Sequence, residues 1–263
     1  MKEAELGRGT LDRVLSARGG NVPYDAMAEM IELSRSHQDV RRGLLSEIDK
    51  QLWNAERDME LAWLCVMAGE VGPEGHQALI DLLGKTESDD VTESAIPALT
   101  RHVVEAYEDI KKAIDASVVV GQRSSLYECL RGVVVFGEAA QKSDLAEYAT
   151  DRVRREMELP AQGRELIGPL RLLVDLGAPD ARKLLSEVRA KVRSKTSRTE
   201  LEGLESYRLG GSKDSLDQLR ASHAGDWRDT AENLRKLFHP TKEEKRRLQQ
   251  LLVSLGDGGS SVH

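Results

Sequence analysis

The residues able to do chemistry are a glycine-lysine-threonine triplet, a glycine pair ahead of a serine, six histidines, two cysteines and a run of cations. Gly84-Lys85-Thr86 matches the end of a phosphate-binding loop, whose backbone N–H groups and lysine cradle phosphates. The motif's first glycine would fall where Leu79 stands, and the triplet closes a helical pattern instead of joining a strand to a helix. Gly210-Gly211-Ser212-Lys213 offers N–H groups that can hold an anion at a helix start, although a turn with a serine cap accounts for it. His37, His76, His102, His223, His239 and His263 form no i, i+4 pair. No Glu-x-x-His, the spacing a carboxylate-bridged di-iron bundle needs, occurs once. His102 and Glu105 are a single i, i+3 pair. Cys65 and Cys129 sit among Leu64, Val66, Leu130 and Val133 at core spacing, where a thiol acts as a small apolar side chain. Gly-x-Ser-x-Gly is absent. No catalytic, cofactor or metal residue is assigned, and an enzyme site assembled from distant residues stays an alternative.

The cations are the sharper signal. Arg152, Arg154, Arg155, Arg182, Lys183, Arg189, Lys191, Arg193, Lys195 and Arg198 crowd one segment. Residues 151–198 carry 12 Lys+Arg against 7 Asp+Glu, whereas residues 1–120 carry 13 against 23. Arg182, Arg189 and Arg193 follow i, i+7, i+11, which puts them on one helical face. Arg152, Arg155, Arg182, Arg189 and Arg193 are the candidate partner-binding residues. Phosphate neutralisation dominates nucleic-acid affinity, so 152–198 makes a nucleic-acid-binding helical protein one alternative. Against it stand a pI near 5.5, interspersed Glu156, Glu158, Asp180 and Glu187, and no interleaved aromatic side chains.

Positioning these residues falls to helices. Tyr24, Met27, Met30, Ile31 and Ser34 recur at helical spacing behind Pro23, and Val40, Leu44, Leu45, Ile48, Leu52 and Trp53 make one stripe. Period-two alternation is nearly absent. Val118–Val120 and Val133–Phe136 are the only strand-like runs, and no hairpin turn flanks them, so they read as buried helix or helix edge. Gly69, Gly137, Gly177 and Gly210 each close one apolar stripe ahead of another, where a reversing helix needs positive φ. Pro73 and Pro179 suit first helical positions, and Ser143 and Ser212 suit caps. Thr199-Glu200-Leu201-Glu202 and Thr241-Lys242-Glu243-Glu244 read as capping boxes. The apolar positions of 91–116 make a further helical pair, and the resulting units of roughly 33–47 residues match helical repeats.

The order of these pieces over residues 8–160 resembles HEAT-type helical repeats, and specifically an uncharacterised bacterial family of them. The matching pieces are Leu11–Leu15, then Val22-Pro23-Tyr24-Asp25-Ala26, the pair Leu61–Gly69 and Gly75–Leu83, and the acidic Ser88-Asp89-Asp90-Val91-Thr92-Glu93 before Ala95–Val104. Members often carry a Cys-rich zinc tail of SEC-C type. No Cys follows Cys129, so nothing about metal-dependent partners carries over. The resemblance implies a repeat fold and no assigned activity.

The reading is therefore an all-α chain, an α-solenoid or HEAT-like array over 1–225, with an irregular helical bundle as the alternative. A capping helix pair over 226–256, split at Pro240, and a Gly/Ser-rich tail over 257–263 follow. The expected function is a non-catalytic protein–protein interaction module or scaffold with no cofactor, binding another protein and able to form a homodimer. Two Cys in apolar settings suit a reducing compartment. The charged Met1–Glu5 lacks a signal-peptide core, and no window approaches the ~20 apolar residues of a membrane helix. A cytoplasmic location without membrane contact is expected.

Overall fold

A computed structural model of the chain describes residues 2–17, 23–51, 58–86, 89–158 and 163–209. The expected capping pair (226–256) and tail (257–263) lie outside the described residues, as do Gly210, Ser212 and Thr241–Glu244. All regular structure among the described residues is helical, as twelve helices and no strand. No helix among them is long and apolar enough to cross a membrane. The chain divides into two compact units, with the boundary between His102 and Val103. The two helices read as one pair over 91–116 thus fall in different units.

The first unit contains α1 (Lys2–Leu15), α2 (Tyr24–Ser36), α3 (Gln38–Gln51), α4 (Asp58–Gly69), α5 (Pro73–Leu83) and α6 (Asp89–Thr100). Its centre is α4, which packs on α2, α3, α5 and α6. The sequence explains why. Leu61, Trp63, Leu64, Cys65, Met67 and Ala68 are buried on all sides of the helix, and a helix apolar all round must be enclosed. Each large apolar side chain so buried contributes about 1.5–3 kcal/mol. α2 and α3 bury one stripe each, Met27, Met30, Ile31 and Ser34 on the first and Val40, Leu44 and Ile48 on the second. Leu52 and Trp53, expected on the second stripe, lie outside the described residues.

The second unit contains α7 (Val103–Ala116), α8 (Val120–Phe136), α9 (Ala139–Glu158), α10 (Arg164–Asp175), α11 (Ala181–Lys191) and α12 (Lys195–Leu209). Here α10 is central, packing on α8, α9, α11 and α12 through Leu166, Ile167, Leu170, Leu172 and Leu173. Within each unit a helix packs mainly on the next one and the next but one. Val120 opens α8 and Val133–Phe136 close it, so both strand-like runs belong to helix edges. Val118 and Val119 stand exposed in the connection.

Several local expectations need correction. Gly177 does adopt positive φ (65°), but Gly137 is extended at φ -72°, and Gly69 is not among the positive-φ residues. Gly69 serves a close approach instead: a Cβ there would lie 2.9 Å from the Ala98 carbonyl oxygen of α6. Pro73 does open α5, but α11 begins at Ala181, two residues beyond Pro179. Ser143 lies inside α9, because the helix-favouring Ala139, Ala140, Gln141 and Lys142 extend it toward the N-terminus. Thr199 lies inside α12, where its hydroxyl bonds the Lys195 carbonyl. Ser194 provides the cap, accepting the Ser197 N–H at 3.3 Å.

Gly75, in the first turn of α5, gives the strictest steric test. A Cβ there would lie 1.9 Å from the Ala68 carbonyl oxygen of α4, a backbone atom that cannot swing away. Gly75→Ala is expected to force α4 and α5 apart and cost about 1–3 kcal/mol. A thermal melt followed by far-UV circular dichroism checks it, and an unchanged melting temperature would show that the two helices are not so close.

Candidate functional site

Charge is handled inside both units by clusters that sequence spacing does not reveal. In the first, Glu70 follows α4 at the end of the apolar run Leu61–Gly69, and its side chain is 6% exposed. Arg35, in the last turn of α2, donates from Nε to the Glu70 carbonyl oxygen at 2.7 Å and from Nη2 to its carboxylate at 3.1 Å. Arg101, just past α6, donates to the same carboxylate. His102 Nε2 lies 3.4 Å from it, and the His102 ring stacks on His76 of α5 with centroids 4.9 Å apart. Burial alone would raise Glu70, but His102, Arg101 and Arg35 outweigh it and hold the carboxyl below its ordinary value of 4.5. One carboxylate thus ties together the ends of α2, α4 and α6. A lone acid closing an otherwise apolar run was the available signal for it.

In the second unit a polar seam joins α7 to α9 and α8. The Tyr107 hydroxyl donates to Asp144 at 2.6 Å, and Lys111 reaches Asp144 at 2.7 Å while lying over the Tyr107 and Tyr148 rings at 4.7 and 5.3 Å. Tyr148 donates to Asp115 at 3.0 Å. Arg152 bridges Asp115 at 3.3 Å and Glu156 at 2.7 Å, and Arg123 also holds Glu156, at 2.6 Å. Hydrogen bonds from Lys111 and Tyr107 pull Asp144 below its ordinary value, whereas burial pushes the Tyr107 hydroxyl well above its own.

A third group links α8 to α10. Arg131 pairs with Glu128 at 2.7 Å and with Asp175 at 2.8 Å, and Arg171 reaches Glu128 at 2.6 Å. Burial pushes Asp175 up further than Arg131 and Arg171 draw it down. All three groups pair opposite charges between helices, which suits cohesion between them.

The motif residues are placed as follows. Gly84, Lys85 and Thr86 direct their N–H groups back to Ile80 and Leu82 carbonyls, so they close α5 and form no phosphate cradle. Cys65 and Cys129 are buried, and burial raises the Cys65 thiol to about 12, far from a thiolate at neutral pH. Among the described residues, no group of three or more His, Cys, Asp or Glu side chains is arranged to hold a metal ion.

The five candidate partner-binding arginines separate. Arg152 is buried at 9% exposure and bound to Asp115 and Glu156, so it belongs to the interior seam. Arg155 is exposed in the last turn of α9. Arg182 and Arg189 are exposed at the two ends of α11. Arg193 is exposed too, but α11 ends at Lys191, so it stands in the connection to α12 and not on the helical face inferred from i+11 spacing. Arg198 of α12 donates from Nε to the Val192 carbonyl at 2.8 Å, bracing that connection. Of the four exposed candidates, Arg189 and Arg193 lie where α11 hands over to α12, whereas Arg155 lies on α9 and Arg182 at the start of α11. In comparisons with known proteins, no family model, curated protein or solved structure matches the chain.

Proposed function

We propose that the chain is a non-catalytic interaction scaffold built from stacked helix pairs, in keeping with its resemblance to HEAT-type repeats, and that its partner is another protein. One observation carries the reading. Links between alternate helices recur at offsets of about one helix pair: Arg35 to Glu70 spans 35 residues, Arg41 to Glu74 33, Glu70 to Arg101 31, Tyr107 to Asp144 and Asp115 to Arg152 37 each, Glu128 to Arg171 43 and Arg131 to Asp175 44. A recurrent offset of this size is what a repeating helix pair produces when each pair stacks on the one before.

Such stacking uses the inward stripes for cohesion and leaves the outward faces available for docking. The charged side chains that are buried are committed to one another, which supports binding at the surface over chemistry in an interior site. Affinity capture from the native host, with nuclease treatment and mass spectrometry, tests the reading. The expected result is one polypeptide recovered in near-equal amount with the chain and unaffected by nuclease. Recovery of nucleic acid in its place would overturn it.

A further inference from the structure

The geometry points to the corner between α11 and α12 as a docking surface for a short acidic polypeptide segment, held by Lys191, Arg193 and Lys195 with Arg189 and Arg198 beside them. This inference rests on the scaffold reading and names the chemistry of its partner. Between Arg189 and Arg198 five of ten residues are cationic and none is acidic. All five are exposed. Lys191, Arg193 and Lys195 make no hydrogen bond or ion pair with any described residue, unlike Arg35, Arg101, Arg123, Arg131 and Arg152. Burying none of this charge and pairing none of these three side chains leaves a dense local positive field, which attracts carboxylates. The corner is also braced. Val192 is buried beneath it, Arg198 holds the Val192 carbonyl, and Ser194 caps α12. The cations are thus presented from fixed backbone, and the arginine fork matches a carboxylate with two parallel hydrogen bonds.

The extent of the patch favours a peptide over a duplex. Glu187 and Glu200 are both exposed and border it in sequence. A duplex carries a phosphate charge about every 1.7 Å and rewards a long basic track, whereas this chain has a net charge of -7. Residues 181–204 hold no aromatic side chain on which single-stranded bases could stack.

The test is fluorescence polarisation of the full chain with a labelled oligoglutamate peptide, beside labelled duplex and single-stranded DNA. K191E/R193E/K195E is expected to weaken peptide binding by about tenfold or more. Raising salt should weaken it as well. R8E/R42E/K112E makes the same change in net charge at exposed positions elsewhere and should leave it within about twofold. Far-UV circular dichroism of both variants confirms that each is folded. DNA bound more tightly than the peptide and lost in the first variant would overturn the proposal in favour of a nucleic-acid surface. No peptide binding, or equal weakening in both variants, would also overturn it. The scaffold reading fails separately: a captured polypeptide retained by K191E/R193E/K195E leaves the scaffold standing and removes this corner from it.

Discussion

Glu70→Gln is expected to destabilise the first unit by about 3–5 kcal/mol, the cost of removing one partner from a buried charge cluster. The amide keeps the shape of the side chain but leaves Arg101, 14% exposed, without its counter-charge and strips Arg35 and His102 of the group they share. The ends of α2 and α6 then lose their common anchor at the end of α4. Glu74→Gln is the matched control. Its partner Arg41 holds it at 2.8 Å, but the Glu74 side chain is 49% exposed, so the pair is screened and its loss should cost about 0–1 kcal/mol. Urea denaturation read by circular dichroism distinguishes the two. Equal small losses would mean that Glu70 is not the tie between these helices.

The same carboxylate sets a pH signature. Its folded-state value is held below 4.5, so the native state binds fewer protons than the unfolded chain, and the stabilisation is present above about pH 4.5. It is lost as pH falls through the depressed folded value. Glu29, Glu128 and Asp144 are also depressed and contribute in the same direction, whereas Asp175, which burial raises, opposes them. The difference between wild type and Glu70→Gln therefore isolates this one group. The two stability curves should converge as pH falls below 4.5 and stay parallel above it. Parallel curves throughout would show that Glu70 is not held ionised by its neighbours.

Arg152→Ala is expected to cost about 3–5 kcal/mol in the second unit, while Arg155→Ala, three residues away on the same helix, should change stability by no more than about 0.5 kcal/mol. The contrast follows from surroundings and not from residue type. Arg152 is 11% exposed at its side chain and serves two acids on two helices, Asp115 on α7 and Glu156 on α9 itself. Truncation leaves Asp115 to Tyr148 alone and Glu156 to Arg123 alone. Arg155 faces solvent. Denaturation midpoints of the two variants decide the matter, and a near-neutral Arg152→Ala would return that side chain to the surface set.

Much of the helical reading could be made from periodicity because a helix buries a stripe, and a stripe is written at i, i+3 and i+4. Met27, Met30 and Ile31 on α2, or Leu184, Leu185 and Val188 on α11, need no partner to be recognised as inward-facing. Helix ends were harder to read. A serine or threonine that could cap is not obliged to, and Ser143 and Thr199 were overridden by helix-forming residues or a competing cap upstream. Glycine had two meanings that a sequence does not separate: Gly177 supplies a left-handed turn, whereas Gly69 and Gly75 supply room for a neighbouring backbone.

By itself the sequence determined that the described chain is helical, that the cysteines are core residues, and that positive charge concentrates late in the chain. These are properties of neighbours along the chain, set by side-chain type and a 3.6-residue period. Only the tertiary structure decided which charges are interior and which are free to meet a partner. Arg152 and Arg155 look alike in one dimension, and their fates part because Asp115 lies 37 residues from Arg152 yet at 3.3 Å. Burial turns a charge toward whatever counter-charge the fold brings to it, and a distance through space is not written in the spacing along a chain.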